Sequence, residues 1–222
     1  QQISAKWNSA IEKHLYNING SKKLKELKNG RIMFINGIFN EFSHAQAAAR
    51  YISTLSGGYN IHGVYNPTLS WVDIPEYAYD RVGGWTFSVS RLIKSWTDFC
   101  NEHPNSNEPL LQLAHSQGVV KVREALMWCR QSTRNRIIVV AIAPGAYIDK
   151  RLCREIRHYV SARSYRDPVP CLDPIGYIMC RDTIITVDPH EDADFFDHAF
   201  QSPSYKRAIE SEIEEYIKTY EN

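Results

Sequence analysis

After its first residue, the run Arg136-Ile137-Ile138-Val139-Val140-Ala141-Ile142-Ala143 carries no polar side chain. A strand that is apolar on both faces has no side to turn toward water. The arrangement that covers both sides is a parallel sheet with helices packed above and below. Two further runs of strand length repeat the pattern, Arg31-Ile32-Met33-Phe34-Ile35 and Leu110-Leu111-Gln112-Leu113-Ala114. Tyr59 to Tyr65, His158 to Ser164 and Asp182 to Val187 add three more strand candidates. Helical spacing separates them, at Glu41 to Leu55, Trp85 to Cys100, Val119 to Arg130, Asp149 to Ile156 and about Ser204 to Tyr220. In the last of these, Tyr205, Ile209, Ile213, Ile217 and Tyr220 share one face and acids occupy the other. The expected fold is therefore α/β: a mostly parallel sheet of about six strands with helices on both faces, in a single domain over residues 1–222. Ser4 to Leu27 reads as helical, an N-terminal extension over residues 1–28 that stops at Asn29-Gly30. Thr68 to Gly84 has no period and reads as an irregular excursion. The aromatics from Trp71 to Trp85 either line an acyl or aryl pocket or pack beneath a long loop.

Composition narrows the function classes. With 43% hydrophobic and 23% charged residues, the chain has material for one large core. A formal net charge of +1 supplies no general attraction to nucleic acid or to an anionic membrane, so no nucleic-acid partner is expected. The basic run Lys22 to Lys28 reads as a solvated helix face. No stretch approaches the roughly 20 apolar residues of a membrane span, so no integral membrane segment is expected, and no signal-peptide pattern is present. Cys100, Cys129, Cys153, Cys171 and Cys180 form an odd set with neither CxxC nor a zinc-spaced histidine pair. Reduced thiols in a reducing, cytoplasmic compartment are the simpler reading, with a Cys171–Cys180 bridge left open. The chain begins at Gln1, which fits a processed form or a domain excised from a longer or exported protein.

One strand runs into Ala114-His115-Ser116-Gln117-Gly118. A serine at the tip of a tight strand-to-helix turn takes a strained backbone, and side chains two residues to either side would collide, so both must be small. Ala114 and Gly118 meet that demand, with alanine standing where the usual pattern has glycine. Val119, Val122, Leu126 and Cys129 follow at helical spacing, so a helix begins just after Ser116 with its positive end toward the hydroxyl. The bland alternative is a loop serine without chemistry.

A serine hydroxyl needs a base within hydrogen-bond reach, and that base needs an acid to orient it. Asp167, in Tyr165-Arg166-Asp167-Pro168, falls just past the strand that ends at Ser164. Asp173, before another proline, and Asp188, after the last strand, compete for the same role. His198, in Asp197-His198-Ala199-Phe200, precedes the last helix, with His190 as its competitor. His115 reads as a packing or supporting histidine, and His44 and His62 as structural or exposed. Asp192, Asp194, Asp197 and His198 crowd one loop but match no calcium-loop spacing. A solvated acidic loop is expected there, with no metal and no other cofactor.

The chain order of serine, acid and histidine, each on the loop after a successive strand, resembles the α/β-hydrolase superfamily over about Arg31 to Tyr220. Asn36-Gly37-Ile38 with Val64-Tyr65-Asn66-Pro67-Thr68 is similar to an uncharacterised family of chlamydial proteins. The first resemblance implies a serine hydrolase of esterase, lipase or thioesterase type, acting on a small-molecule or acyl ester through an acyl-enzyme. It implies Ser116 as nucleophile, His198 as general base and then acid, and Asp167 as the residue that fixes the imidazole. It also implies an oxyanion hole built from the N–H of Gln117 and one from Gly37 or Ile38. Two other readings stand beside it. One is an acyltransferase with the same triad. The other is a hydrolase-like binding module with little turnover, favoured by Ala114 and by the missing first strands of larger members.

Overall fold

In the computed structural model of the chain, residues 15–17, 23–37, 41–67 and 78–221 are described, those at 15–17 and 78–86 as backbone only. The described strands are β1 (Leu15–Asn17), β2 (Ile32–Ile35), β3 (His62–Val64), β4 (Leu110–His115), β5 (Ile137–Ile142), β6 (Glu155–Ser161) and β7 (Ile184–Val187). They stand in the order β1-β3-β2-β4-β5-β6-β7. Strands β2 to β7 are parallel throughout, and β1 alone runs antiparallel, against β3. The helices are α1 (Phe42–Leu55), α2 (Ala78–Glu102), α3 (Gly118–Trp128), α4 (Gln131–Arg134), α5 (Pro174–Met179) and α6 (Pro203–Tyr220). Among the described residues no helix is long and apolar enough to cross a membrane.

The uninterrupted apolar runs are explained by alternation between two cores. Ile32 and Phe34, Leu111 and Leu113, and Ile138, Val140 and Ile142 point to one face, where α1 supplies Ala45, Ala49 and Ile52 and α6 supplies Tyr205, Ile209 and Ile213. Met33 and Ile35, Leu110 and Ala114, and Ile137, Val139 and Ala141 point to the other, against Leu92, Trp96 and Phe99 of α2 and Val119, Val122 and Leu126 of α3. Gln112 is the polar exception on that face. Its carbonyl accepts from the Trp96 indole at 3.0 Å and its amide donates to the Leu113 carbonyl at 3.0 Å, so neither end is left unpaired in the core.

Helix α6 ties several elements together. Glu212 is buried rather than on the acidic outer face, and it receives the Arg157 guanidinium bidentately at 2.5 and 2.7 Å and the Tyr159 hydroxyl at 2.6 Å. The Tyr216 hydroxyl accepts from the Arg31 N–H at 3.0 Å and donates to the Pro109 carbonyl at 2.6 Å, touching the entries of both β2 and β4. The Glu221 carboxylate then takes the successive N–H groups of Lys28, Asn29 and Gly30 at 2.6 to 2.9 Å.

Four expectations are corrected. Residues 78–84, read as the end of an irregular excursion, belong to α2, which starts at Ala78 and not at Trp85, while residues 68–77 lie outside the described residues. Leu15–Asn17 is a strand, not helix, and Lys25 forms a bridge to Tyr59, exchanging backbone hydrogen bonds of 2.8 Å with Gly58 and Asn60. Sheet pairing at this edge supplies backbone partners that outweigh the local helical spacing. The rest of the span from Ser4 through residue 22 lies outside the described residues. The helix expected from Asp149 to Ile156 is a 3₁₀ turn over Lys150–Leu152, and β6 starts at Glu155, three residues early. The segment after Ser164, where aspartates and prolines read as loop, contains α5 (Pro174–Met179), capped by Asp173, whose Oδ1 accepts from the Gly176 N–H at 3.0 Å with Pro174 in the first turn.

His158, fully buried in β6, accepts the Ile148 N–H on Nε2 at 3.0 Å and meets Thr183 Oγ1 through Nδ1 at 2.9 Å. It must be neutral to make the first bond, and burial lowers its pKa to about 4. The unfolded chain titrates near about 6.5, so it binds the proton first as pH falls. Stability is expected to be level above about pH 6.5 and to decline from there toward about pH 4, measured by denaturant unfolding at each pH. His158→Gln, which keeps an acceptor but cannot titrate, is expected to make that decline shallower, the remainder coming from His62 and His115, which burial likewise lowers to about 4 and about 3. An unchanged slope in the variant contradicts the assignment.

Candidate active site

Strand β4 stops at His115, and Ser116 takes φ 54°, in the left-handed region that L side chains avoid. The turn is held from outside. The Ser116 N–H donates to the Ile142 carbonyl at 3.1 Å, and the Ser116 carbonyl accepts from Gly145 at 2.9 Å and from Val119 at 3.1 Å. Three glycines make room for it. A Cβ on Gly37 would sit 2.7 Å from Ser116 Cβ, one on Gly118 would sit 2.7 Å from the Asn36 carbonyl oxygen, and one on Gly145 would sit 3.1 Å from the Ser116 carbonyl oxygen. The loops leaving β2 and β5 thus press directly on the turn leaving β4.

Around this turn a hydrogen-bonded chain is assembled. His198 Nε2 lies 2.8 Å from Ser116 Oγ, and His198 Nδ1 lies 2.8 Å from Asp167 Oδ1. A carboxylate only accepts, so Nδ1 carries the ring proton and Nε2 is left as an acceptor for the serine O–H. The Asp167 side chain is fully buried; the Val169 N–H reaches its Oδ1 at 3.2 Å and the Tyr205 hydroxyl its Oδ2 at 3.4 Å. Burial, and next the Asp167 charge, raise the Tyr205 hydroxyl pKa well above its ordinary value, which keeps the phenol a donor.

The competing residues are placed elsewhere. Asp173 caps α5 and also accepts from Arg123 at 3.2 Å and from the Tyr147 N–H at 3.1 Å, so its carboxylate is spent on structure. Asp188 is exposed beyond β7. His190 is exposed, and its Nδ1 accepts from the Asp192 N–H at 3.1 Å. The loop expected to be solvated is so at Asp192 and Asp194, whereas Asp197 is buried. Its carboxylate receives the hydroxyls of Ser202 and Ser204 at the start of α6, which fixes the residue next to His198. Among the described residues no group of three or more metal-ligating side chains converges.

Gly37 packs against the serine, and the loop that carries it is anchored by Asn36. That side chain accepts from the Asn66 N–H at 2.8 Å and donates to the carbonyls of Asn66 at 3.0 Å and Gly37 at 2.9 Å. Ile38 lies outside the described residues, as does most of the aromatic excursion before Trp85. The Gln117 N–H stands at the N-terminal end of α3.

Arg166 is a participant that sequence reading missed. Its guanidinium donates to the carbonyls of Ala193 at 3.0 Å, Asp194 at 2.7 Å and Phe195 at 3.2 Å, and its own carbonyl accepts from the Asp197 N–H at 2.9 Å. The loop bearing Asp167 is thereby clasped to the loop bearing His198. Adjacency to Asp167 was the one signal available in the sequence, and it does not reveal a contact about 30 residues away.

A family model described as Protein of unknown function (DUF687) matches residues 4–219. No curated protein matches the chain. In backbone the chain is similar to a dienelactone hydrolase from Anabaena variabilis, with 14% identity, a TM-score of 0.52, and 93% of this chain and 97% of that one covered. It is similar as well to EstE1, a thermostable carboxylesterase cloned from a metagenomic library, at 12% identity and a TM-score of 0.56 over 100% and 95% of the two chains. A Pyrobaculum calidifontis esterase aligns at 10% identity and a TM-score of 0.55, covering 98% and 90%. These likenesses establish the α/β-hydrolase fold.

Gly118→Ala gains about 1 kcal/mol of helix propensity but forces a methyl group against two backbone carbonyls, an overpacking cost of about 1–3 kcal/mol. Net destabilisation by about 1 kcal/mol is expected in denaturant unfolding. Ser116→Gly, free to adopt φ 54°, is expected to be more stable than Ser116→Ala by about 1 kcal/mol, whereas equal stabilities would show that the turn carries no strain.

Proposed function

We propose that this chain, which belongs to the family described as Protein of unknown function (DUF687), is a serine hydrolase that cleaves an ester or thioester through an acyl-enzyme. The observation that carries the reading is the continuous bond path from Ser116 through His198 to the buried carboxylate of Asp167. The hydrolase and esterase activities named for the similar structures support the same class.

Ser116 Oγ attacks the substrate carbonyl carbon while His198 Nε2 takes its proton. The imidazolium so formed is stabilised by Asp167, whose buried carboxylate holds the proton on Nδ1 throughout. His198 then delivers the Nε2 proton to the departing alcohol or thiol as the acyl–Ser116 ester forms. A water molecule enters, gives its proton to His198 Nε2 and attacks the acyl carbon, and Ser116 recovers its proton as the acid leaves. Charge developing on the carbonyl oxygen is met by the Gln117 N–H and by the loop at Gly37 and Ile38, each such donor typically worth about 10²–10³ in rate. The α3 dipole favours negative charge at the same place. Small-molecule esters and acyl thioesters are the substrate classes to which this chemistry applies.

The test is labelling with a fluorophosphonate probe and turnover of a p-nitrophenyl ester series of increasing chain length. The intact protein is expected to be labelled, and Ser116→Ala and His198→Ala are expected not to be. Asp167→Asn is expected to lose about 10³–10⁴ in kcat, because an amide can also donate and so permits the wrong tautomer. An intact chain that stays unlabelled while a control hydrolase reacts overturns the proposal.

A further inference from the structure

His115 precedes the proposed nucleophile and is buried at the carboxyl end of β4, facing the side of the sheet covered by α1 and α6. Its Nε2 donates to the main-chain carbonyl of His198 at 2.7 Å. The carbonyl can only accept, so the tautomer is fixed with hydrogen on Nε2. Its ring stands 4.9 Å from the His198 ring and 5.7 Å from Phe200, which packs in turn at 4.7 Å on Phe34. Two adjacent residues therefore hold one histidine, Ser116 at its ring and His115 at its backbone.

We infer that His115 is a positioning residue that sets the place of His198 relative to Ser116. The inference rests on the reading of Ser116 and His198 as catalytic. Arg166 and the Asp197 carboxylate anchor the loop before His198, but on the flank after it a half-open cavity of about 240 Å³ lies beside the chain, lined by Phe34, Ala48, His115, Ala199, Phe200 and Gln201. A loop with space on one flank can drift, and a directional bond to its carbonyl removes that freedom. A drift on the scale of 1 Å at a reacting group costs about 10²-fold in rate.

The same residue is suited electrostatically. Burial, and next the charge of His198, push the His115 pKa down to about 3, against the opposing effect of its bond to the His198 carbonyl. It stays neutral while His198 gains and loses its proton, so no second cation stands beside the imidazolium. Gly37 completes the packing: a Cβ there would lie 3.1 Å from His115 Nδ1, so the loop after β2 closes over the ring without displacing it.

The experiment compares the intact protein with His115→Leu, which fills the space without a donor, and His115→Gln, whose amide N–H reaches the place of Nε2. Kinetics with the p-nitrophenyl ester that the intact protein turns over are expected to show His115→Leu losing about 10²-fold in kcat with KM little changed. His115→Gln is expected to recover most of that loss. Equal losses in both variants, or full kcat in His115→Leu, overturn the inference. In parallel, ¹⁵N NMR of the His198 ring is expected to give one sharp Nδ1–H signal in the intact protein and in His115→Gln, broadened in His115→Leu. Identical ring signals in all three also overturn it. If the intact protein fails to react with a fluorophosphonate, the reading of Ser116 falls, while the ring signals still decide whether His115 places His198.

Discussion

A serine backbone at φ 54° does not maintain itself; a left-handed L residue costs about 1–2 kcal/mol and relaxes unless its neighbours forbid it. Here the neighbours are the exits of the two adjacent strands. The Ile142 and Gly145 hydrogen bonds come from the last residue of β5 and the loop after it, and Gly37 and the Asn36 carbonyl press from beyond β2. Those exits are level with one another because β2, β4 and β5 are paired in parallel register, Ile35 beside Ala114 and Ala114 beside Ala141. The apolar runs that make the sheet double-sided thus also align the three loops that hold the turn.

The rest of the site is secured by backbone carbonyls more than by side-chain pairs. Arg166 takes three carbonyls of the histidine loop, and His115 takes a fourth. Asp197 and the hydroxyls of Ser202 and Ser204 lock the same loop onto the first turn of α6. Asp167 and His198 reside on separate loops, yet each loop is bound to the other and to the scaffold at several points. Such over-determination suits a proposed mechanism in which one imidazole exchanges protons with serine, leaving group and water from nearly the same position.

What could be read from the sequence was what strand ends dictate. The runs at Ile32, Leu110 and Ile137 announce buried parallel strands, and a serine with small flanking residues, an aspartate just past a strand end and a histidine shortly before the last helix are the side chains that meet in space. Asp167 stands ahead of Asp173 from its place after a strand, and Asp173-Pro174 followed by Gly176 carries a further signal against Asp173, that of a helix start. Other features depend on distant partners and leave no local trace. The strand at Leu15–Asn17 exists because β3 offers an edge. Arg166 has an ordinary surface composition around it. Glu212 sits among acids of an amphipathic helix, and its burial is decided by Arg157 and Tyr159 more than 50 residues earlier.

The reach of α6 bears on how the site is assembled. Tyr216 contacts Arg31 across 185 residues and Pro109 across 107, and Ile209 and Ile213 share with α1 the covering of one side of the central strands. Contacts so distant along the chain are costly to close, because loop-closure entropy must be met before they return anything. Without α6, only α1 covers that face of β2, β4 and β5, and the histidine loop has no anchor at Ser202. The docking of α6 that completes the core therefore also supplies the Ser202 and Ser204 anchors of the loop that seats His198 beside Ser116.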